Sequence, residues 1–143
     1  MKLLRVGQKG KEKPAALDKE GKIRDISSHV EDLNPNHLNF ETISKLQSVD
    51  LSALPEISGS ERIGSCITKP GKFVAIGLNF SDHAAETGAE APSEPIVFMK
   101  ATSCINGPND DIEIVSGSKK LDWEVELGII IGKETKHISE DQS

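Results

Sequence analysis

Apolar and polar positions recur along this chain in short blocks, and the blocks define its expected elements. Leu3, Leu4 and Val6 mark a short strand over residues 2–6. The run Pro14–Leu17 and the run Lys22–Ile26 are joined through Asp18-Lys19-Glu20-Gly21, which predicts a hairpin with glycine at its turn. From Asn39 the apolar positions Phe40, Ile43 and Leu46 recur at helical spacing behind a capping-type residue, so an amphipathic helix starts there and ends before Pro55. Further on, Phe73–Gly77 reads as a compact apolar strand that runs through Leu78-Asn79-Phe80 into a short helix stopped by Gly88. A loop with Pro92 and Pro95 leads to the strand Ile96–Lys100. Asn106-Gly107-Pro108 turns into Ile112–Val115, and Ser116-Gly117-Ser118 turns into the strongest expected strand, 121–131.

Ser58-Gly59-Ser60 and Pro70-Gly71 bracket an expected boundary. The reading is therefore α+β: residues 1–64 as a small N-terminal α+β unit, then 65–143 as a second unit of short strands with few helices, a β-rich roll or barrel-like domain. Leu, Ile, Val and Phe make up about a quarter of the 143 residues, more than intrinsic disorder allows. The net charge of −6 and the scarcity of aromatic rings (Phe40, Phe73, Phe80, Phe98, Trp123) argue against a nucleic-acid partner, which would need basic surface or stacking platforms. Cys66 and Cys104 form neither a disulfide framework nor a CxxC pair, read as small core residues, and fit a reducing cytoplasm. Arg5 breaks the first apolar run, leaving no secretory h-region, and Ile129-Ile130-Ile131 is far too short to span a membrane.

Chemistry concentrates in the second unit. In Leu121-Asp122-Trp123-Glu124-Val125-Glu126-Leu127 the alternation puts Leu, Trp, Val and Leu on one strand face and three carboxylates on the other. If that strand enters a buried sheet, the carboxylates need a compensating hard cation such as Mg²⁺, Mn²⁺ or Ca²⁺; if it is an edge strand, its acidic face is simply wet. His83-Ala84-Ala85-Glu86 places an imidazole and a carboxylate on one side of a helix. That spacing suits a general base held in one tautomer by its carboxylate, and equally a surface ion pair. Lys100, closing an apolar strand, either meets a substrate carboxylate or snorkels at the strand end. His29, His37 and His137 sit in polar, turn-like surroundings and receive no role, and no phosphate-binding glycine loop occurs.

Four ordered motifs bear on these alternatives together. They are Ile76-Gly77-Leu78-Asn79-Phe80-Ser81-Asp82-His83-Ala84-Ala85-Glu86, then Pro95-Ile96-Val97-Phe98-Met99-Lys100, then Gly107-Pro108-Asn109-Asp110-Asp111-Ile112, then Asp122-Trp123-Glu124-Val125-Glu126-Leu127-Gly128-Ile129-Ile130-Ile131-Gly132-Lys133. In this order they resemble the fumarylacetoacetate hydrolase family, and most of all its branch of ureidoglycolate lyases and 2,4-diketo-3-deoxy-fuconate hydrolases. The resemblance implies a mixed β-roll catalytic domain, a homodimer, and Mg²⁺ or Mn²⁺ held by a Glu-x-Glu pair and a later Asp. Glu124 and Glu126 match the pair; His83 and Glu86 match the water-activating dyad; Lys100 matches a lysine near the substrate, a small 2-oxo or diketo acid.

The third ligand of that pattern has no match before Ser143. Ser139-Glu140-Asp141-Gln142 is a capping box, the opening of a helix for which one residue is left. The expectation is a truncated chain. Three readings follow: an enzyme of this family, a catalytically incomplete remnant of one, or an acidic cation-binding module resting on Asp122, Glu124 and Glu126.

Overall fold

Strand alternation and tight turns in the first 57 residues zip into a four-stranded antiparallel sheet. In the computed structural model, which describes residues 1–88, 90 and 92–143, the strands are β1 (Lys2–Val6), β2 (Lys13–Leu17), β3 (Ile23–Asp25) and β4 (Glu56–Ile57), in that spatial order. Register runs from Lys2 opposite Leu17 to Val6 opposite Lys13, then Leu17 opposite Ile23, then Ile23 opposite Ile57. The β2–β3 turn forms as the sequence predicts. Gly21 takes a φ of 80°, a left-handed conformation costly for other residues, while Asp18 accepts the backbone N–H groups of Glu20 and Lys22, each at 2.9 Å.

Each face of the sheet carries an apolar cluster because neighbouring apolar residues, Leu3-Leu4 in β1 and Ala15-Ala16-Leu17 in β2, point to opposite faces. On one face Ala16 joins Ile26, Val30, Leu33 and Leu46, with Leu3 and Leu38 packed against them. On the other, Val6, Ala15 and Ile23 pack with Leu4, Leu17, Ile57 and Ile63. Helix α1 (Phe40–Gln47) reaches the first face through Leu46 alone; Phe40 stands exposed. Its start is fixed by Asn39, whose side chain accepts the Thr42 N–H at 2.9 Å. Asn39→Ala is expected to lower stability by about 1 kcal/mol, read as a lower midpoint in urea unfolding with unchanged slope.

By packing, the described residues divide into two compact units, Met1–Thr68 with Asn106–Ser143, and Lys69–Ile105. The second unit is a hairpin of β5 (Val74–Gly77) and β6 (Ile96–Met99), with helix α2 (Ser81–Thr87) between them in sequence. Gly88 ends α2 in the left-handed conformation, as expected from its place in the sequence. Two positions in the loop 87–95, Ala89 and Ala91, lie outside the described residues.

Three expectations are corrected. Residues 112–115 and 121–131 are not strands: among the described residues nothing pairs with them. Their large apolar side chains stand in solvent rather than entering a buried sheet, with Trp123 79% and Leu127 82% exposed. Alternation makes a segment fit for a strand, but a strand forms only where a neighbour takes its backbone hydrogen bonds. Cys66 and Cys104 are exposed, not core residues. The capping box at Ser139 does form, Gln142 accepting the Ser139 N–H at 3.3 Å, and it opens a single 3-10 turn over Glu140–Gln142.

Candidate functional site

The turn between β5 and α2 sets the position of the expected dyad. β5 ends at Gly77, and Leu78 then takes a φ of 50°, a strained left-handed conformation for a residue with a branched side chain. That bend delivers the chain into α2, where the N–H of His83 donates to Asp82 at 2.9 Å and Ala84 is buried. His83 and Glu86 are exposed and three residues apart on this helix, so they share one side of it. Lys100 follows the last residue of β6, its backbone N–H donating to the Phe73 carbonyl at 2.9 Å. The β5–β6 hairpin thus carries three of the five expected site residues on short, regular elements.

Glu124 and Glu126 lie in the other unit, on the exposed, unpaired stretch 121–131. No strand holds Asp122, Glu124 and Glu126 in a row. Among the described residues no group of three His, Cys, Asp or Glu side chains is placed to hold a metal ion. A hard divalent cation takes six or more oxygen ligands. The carboxylate pair therefore suits such an ion in kind but does not complete a site for one.

A second constellation was not foreseen from the sequence. Arg62 donates from Nε and Nη2 to both oxygens of Asp110, at 2.7 and 2.5 Å, and from Nη1 to Glu12 at 2.8 Å and to the Gly7 carbonyl at 3.1 Å. Arg5, almost wholly buried, holds both oxygens of Asp32 at 2.7 and 3.1 Å and approaches Glu12 at 3.5 Å. Burial pushes the Glu12 carboxyl up, but hydrogen bonds from Arg62 and from backbone N–H groups, with the charge of Arg5, outweigh it and hold Glu12 below the usual carboxylate range. The Arg62 hydrogen bonds do the same for Asp110. No local signal announces these pairs, since Arg62 and Asp110 are 48 residues apart. Beside them a small cleft of about 290 Å³, mostly apolar, is lined by Leu3, Leu4, Ile63, Cys66, Asn106 and Pro108 among others.

The sequence model of the family described as Fumarylacetoacetate (FAA) hydrolase C-terminal matches residues 72–143, half of the chain. The chain belongs to the fumarylacetoacetate hydrolase family. Within the matched residues fall His83, Glu86, Lys100, Glu124 and Glu126. Proteins provisionally named as hydrolases from Burkholderia ambifaria, Burkholderia multivorans and Burkholderia cenocepacia are each 53% identical over 140 residues, 98% of this chain and 50% of theirs. The chain thus spans about half the length of the curated relatives it matches. The crystal structure of a protein provisionally named HpcE from Mycobacterium smegmatis superposes with a TM-score of 0.60 at 24% identity, over 80% of this chain and 41% of that one. It shares the fold, a mixture of helices and small sheets. No described helix is long and apolar enough to cross a membrane.

Proposed function

We propose that residues 65–143 are part of the catalytic domain of an enzyme acting on a small 2-oxo or diketo acid by C–C bond hydrolysis, with residues 1–64 as its N-terminal unit. Ureidoglycolate lyase chemistry is the competing branch. One observation carries the reading: a single family match, over 72–143, takes in all five candidate residues. His83 takes the proton of the attacking water, and Glu86, on the same side of α2, holds the imidazole in the tautomer that can accept it. Lys100 pairs with the substrate carboxylate from the end of β6. Glu124 and Glu126 would hold Mg²⁺ or Mn²⁺ as two of its oxygen ligands, and the ion would supply positive charge beside the substrate oxygen. The working enzyme is a cytoplasmic homodimer.

A second reading, a catalytically incomplete remnant, is favoured by the exposed stretch 121–131 and by a donor set of two carboxylates. Two measurements decide. Calorimetric titration with Mn²⁺ is expected to show weak binding by the chain that Glu124→Gln and Glu126→Gln each abolish; equal binding by both variants would remove the pair from the metal site. Turnover of an acylpyruvate is then followed in the 143-residue chain and in a chimera joining it to the part of the Burkholderia ambifaria relative outside the match. Activity in either supports the enzyme; activity in neither supports the remnant.

A further inference from the structure

We propose that Arg62, with Arg5, Glu12 and Asp110, forms a charge clasp that ties the turn at 106–110 to the N-terminal sheet. None of these four side chains is a candidate for catalysis or metal binding, and the clasp stands whether or not that reading does.

The geometry is specific. The Arg62 guanidinium is a planar fork, and every one of its nitrogens is used: two on Asp110, the third shared between Glu12 and the Gly7 carbonyl. Glu12 is held in turn by the Gly10 N–H at 3.0 Å and by Arg5, which is anchored on Asp32. At the far end, Asp110 closes its own turn by accepting the Gly107 N–H at 3.0 Å. The backbone runs alongside: the Gly7 N–H donates to the Arg62 carbonyl at 2.9 Å, the Gly64 N–H to the Arg5 carbonyl at 2.8 Å, and Val6 bridges to Ile63.

Two glycines record how closely these segments approach. A Cβ on Gly107 would sit 2.6 Å from the Ile63 carbonyl oxygen and 2.8 Å from Asp110, and one on Gly64 would sit 2.9 Å from the Glu12 side chain. The Ile63 oxygen is backbone and cannot swing aside, so the turn at 107 meets the strand partner of Val6 with no room for a methyl group.

The clasp gives the turn a pH dependence. The charged groups facing one another are Arg5, Arg62 and Lys9, whose Nζ donates to Asn106 at 3.2 Å, against Glu12, Asp32 and Asp110. Asp110 and Glu12 are both held below their ordinary values. Groups depressed in the folded state contribute fully above the unfolded values of about 4, and the contribution is lost as pH falls through the depressed ones.

Hydrogen exchange followed by NMR on the 143-residue chain tests this. At pH 7, Asp110→Asn and Arg62→Lys are each expected to lower protection of the Gly107 and Asp110 amides by about tenfold, with β1, β2 and α1 changing less than about twofold. Lysine keeps the charge but cannot span both carboxylates, so loss in Arg62→Lys separates fork geometry from charge. On acidification, wild-type protection at 106–110 should fall before that of the sheet, and this early loss should be missing in Asp110→Asn. Wild-type protection in both variants, or loss spread evenly over the sheet and α1, would overturn the proposal. If neither variant folds, the acid titration of the unaltered chain decides: simultaneous loss at 106–110 and in β1–β3 refutes the clasp as a local device.

Discussion

Ile26→Ala is expected to lower the unfolding free energy by about 2–5 kcal/mol, the range for removing a fully buried branched side chain. Ile26 has no exposed surface and sits where three segments meet: Ala16 of β2, the turn through Val30 and Leu33, and Leu46 of α1. Its backbone is also tied, the N–H donating to the Pro14 carbonyl at 3.2 Å and the carbonyl accepting from His29 and Val30 at 2.9 and 3.1 Å. With the main chain held on both sides, the site cannot collapse to fill the space, which places the cost toward the upper part of the range. Small domains have about 5–15 kcal/mol in total, so the variant should be near the edge of folding at 37 °C. Urea unfolding by circular dichroism measures this; a loss below about 1 kcal/mol would show that this cluster is not the core of the N-terminal unit.

The largest catalytic effect is expected at His83. If it removes the proton from water, His83→Ala in the active form should lower kcat by about 10²–10⁴-fold. Glu86→Gln, which keeps a hydrogen-bonding group but withdraws the charge, should lower kcat by a smaller factor than His83→Ala. A kcat for His83→Ala within about threefold of the parent would assign water activation to another group. Lys100→Met separates binding from chemistry in the same assay: a higher KM with little change in kcat is the signature of a residue that holds the carboxylate equally in ground and transition states.

Local signals in the sequence determined most of the regular elements. The β2–β3 hairpin needed only Asp18 and Gly21 at its turn, α1 an asparagine cap and one apolar side chain at the right phase, and α2 a left-handed glycine at its end. Each depends on residues within a few positions of one another, so the physics is complete in a short window. The family was legible for a related reason: its motifs are short, ordered runs around His83, Lys100 and Glu124, and they need no knowledge of what touches what.

Tertiary structure alone decided the rest. Residues 121–127 alternate strictly, yet among the described residues nothing pairs with 121–131, because a ladder is a property of two segments and alternation a property of one. Cys66 and Cys104 are of a type usually found inside, and both are exposed, Cys104 at the end of a 3-10 turn over Thr102–Cys104. Arg62 and Asp110 carry no mark in the sequence that would join them across 48 positions. Only the fold brings a planar fork against two carboxylates in partly buried surroundings, where leaving any one of them without its partner has a cost.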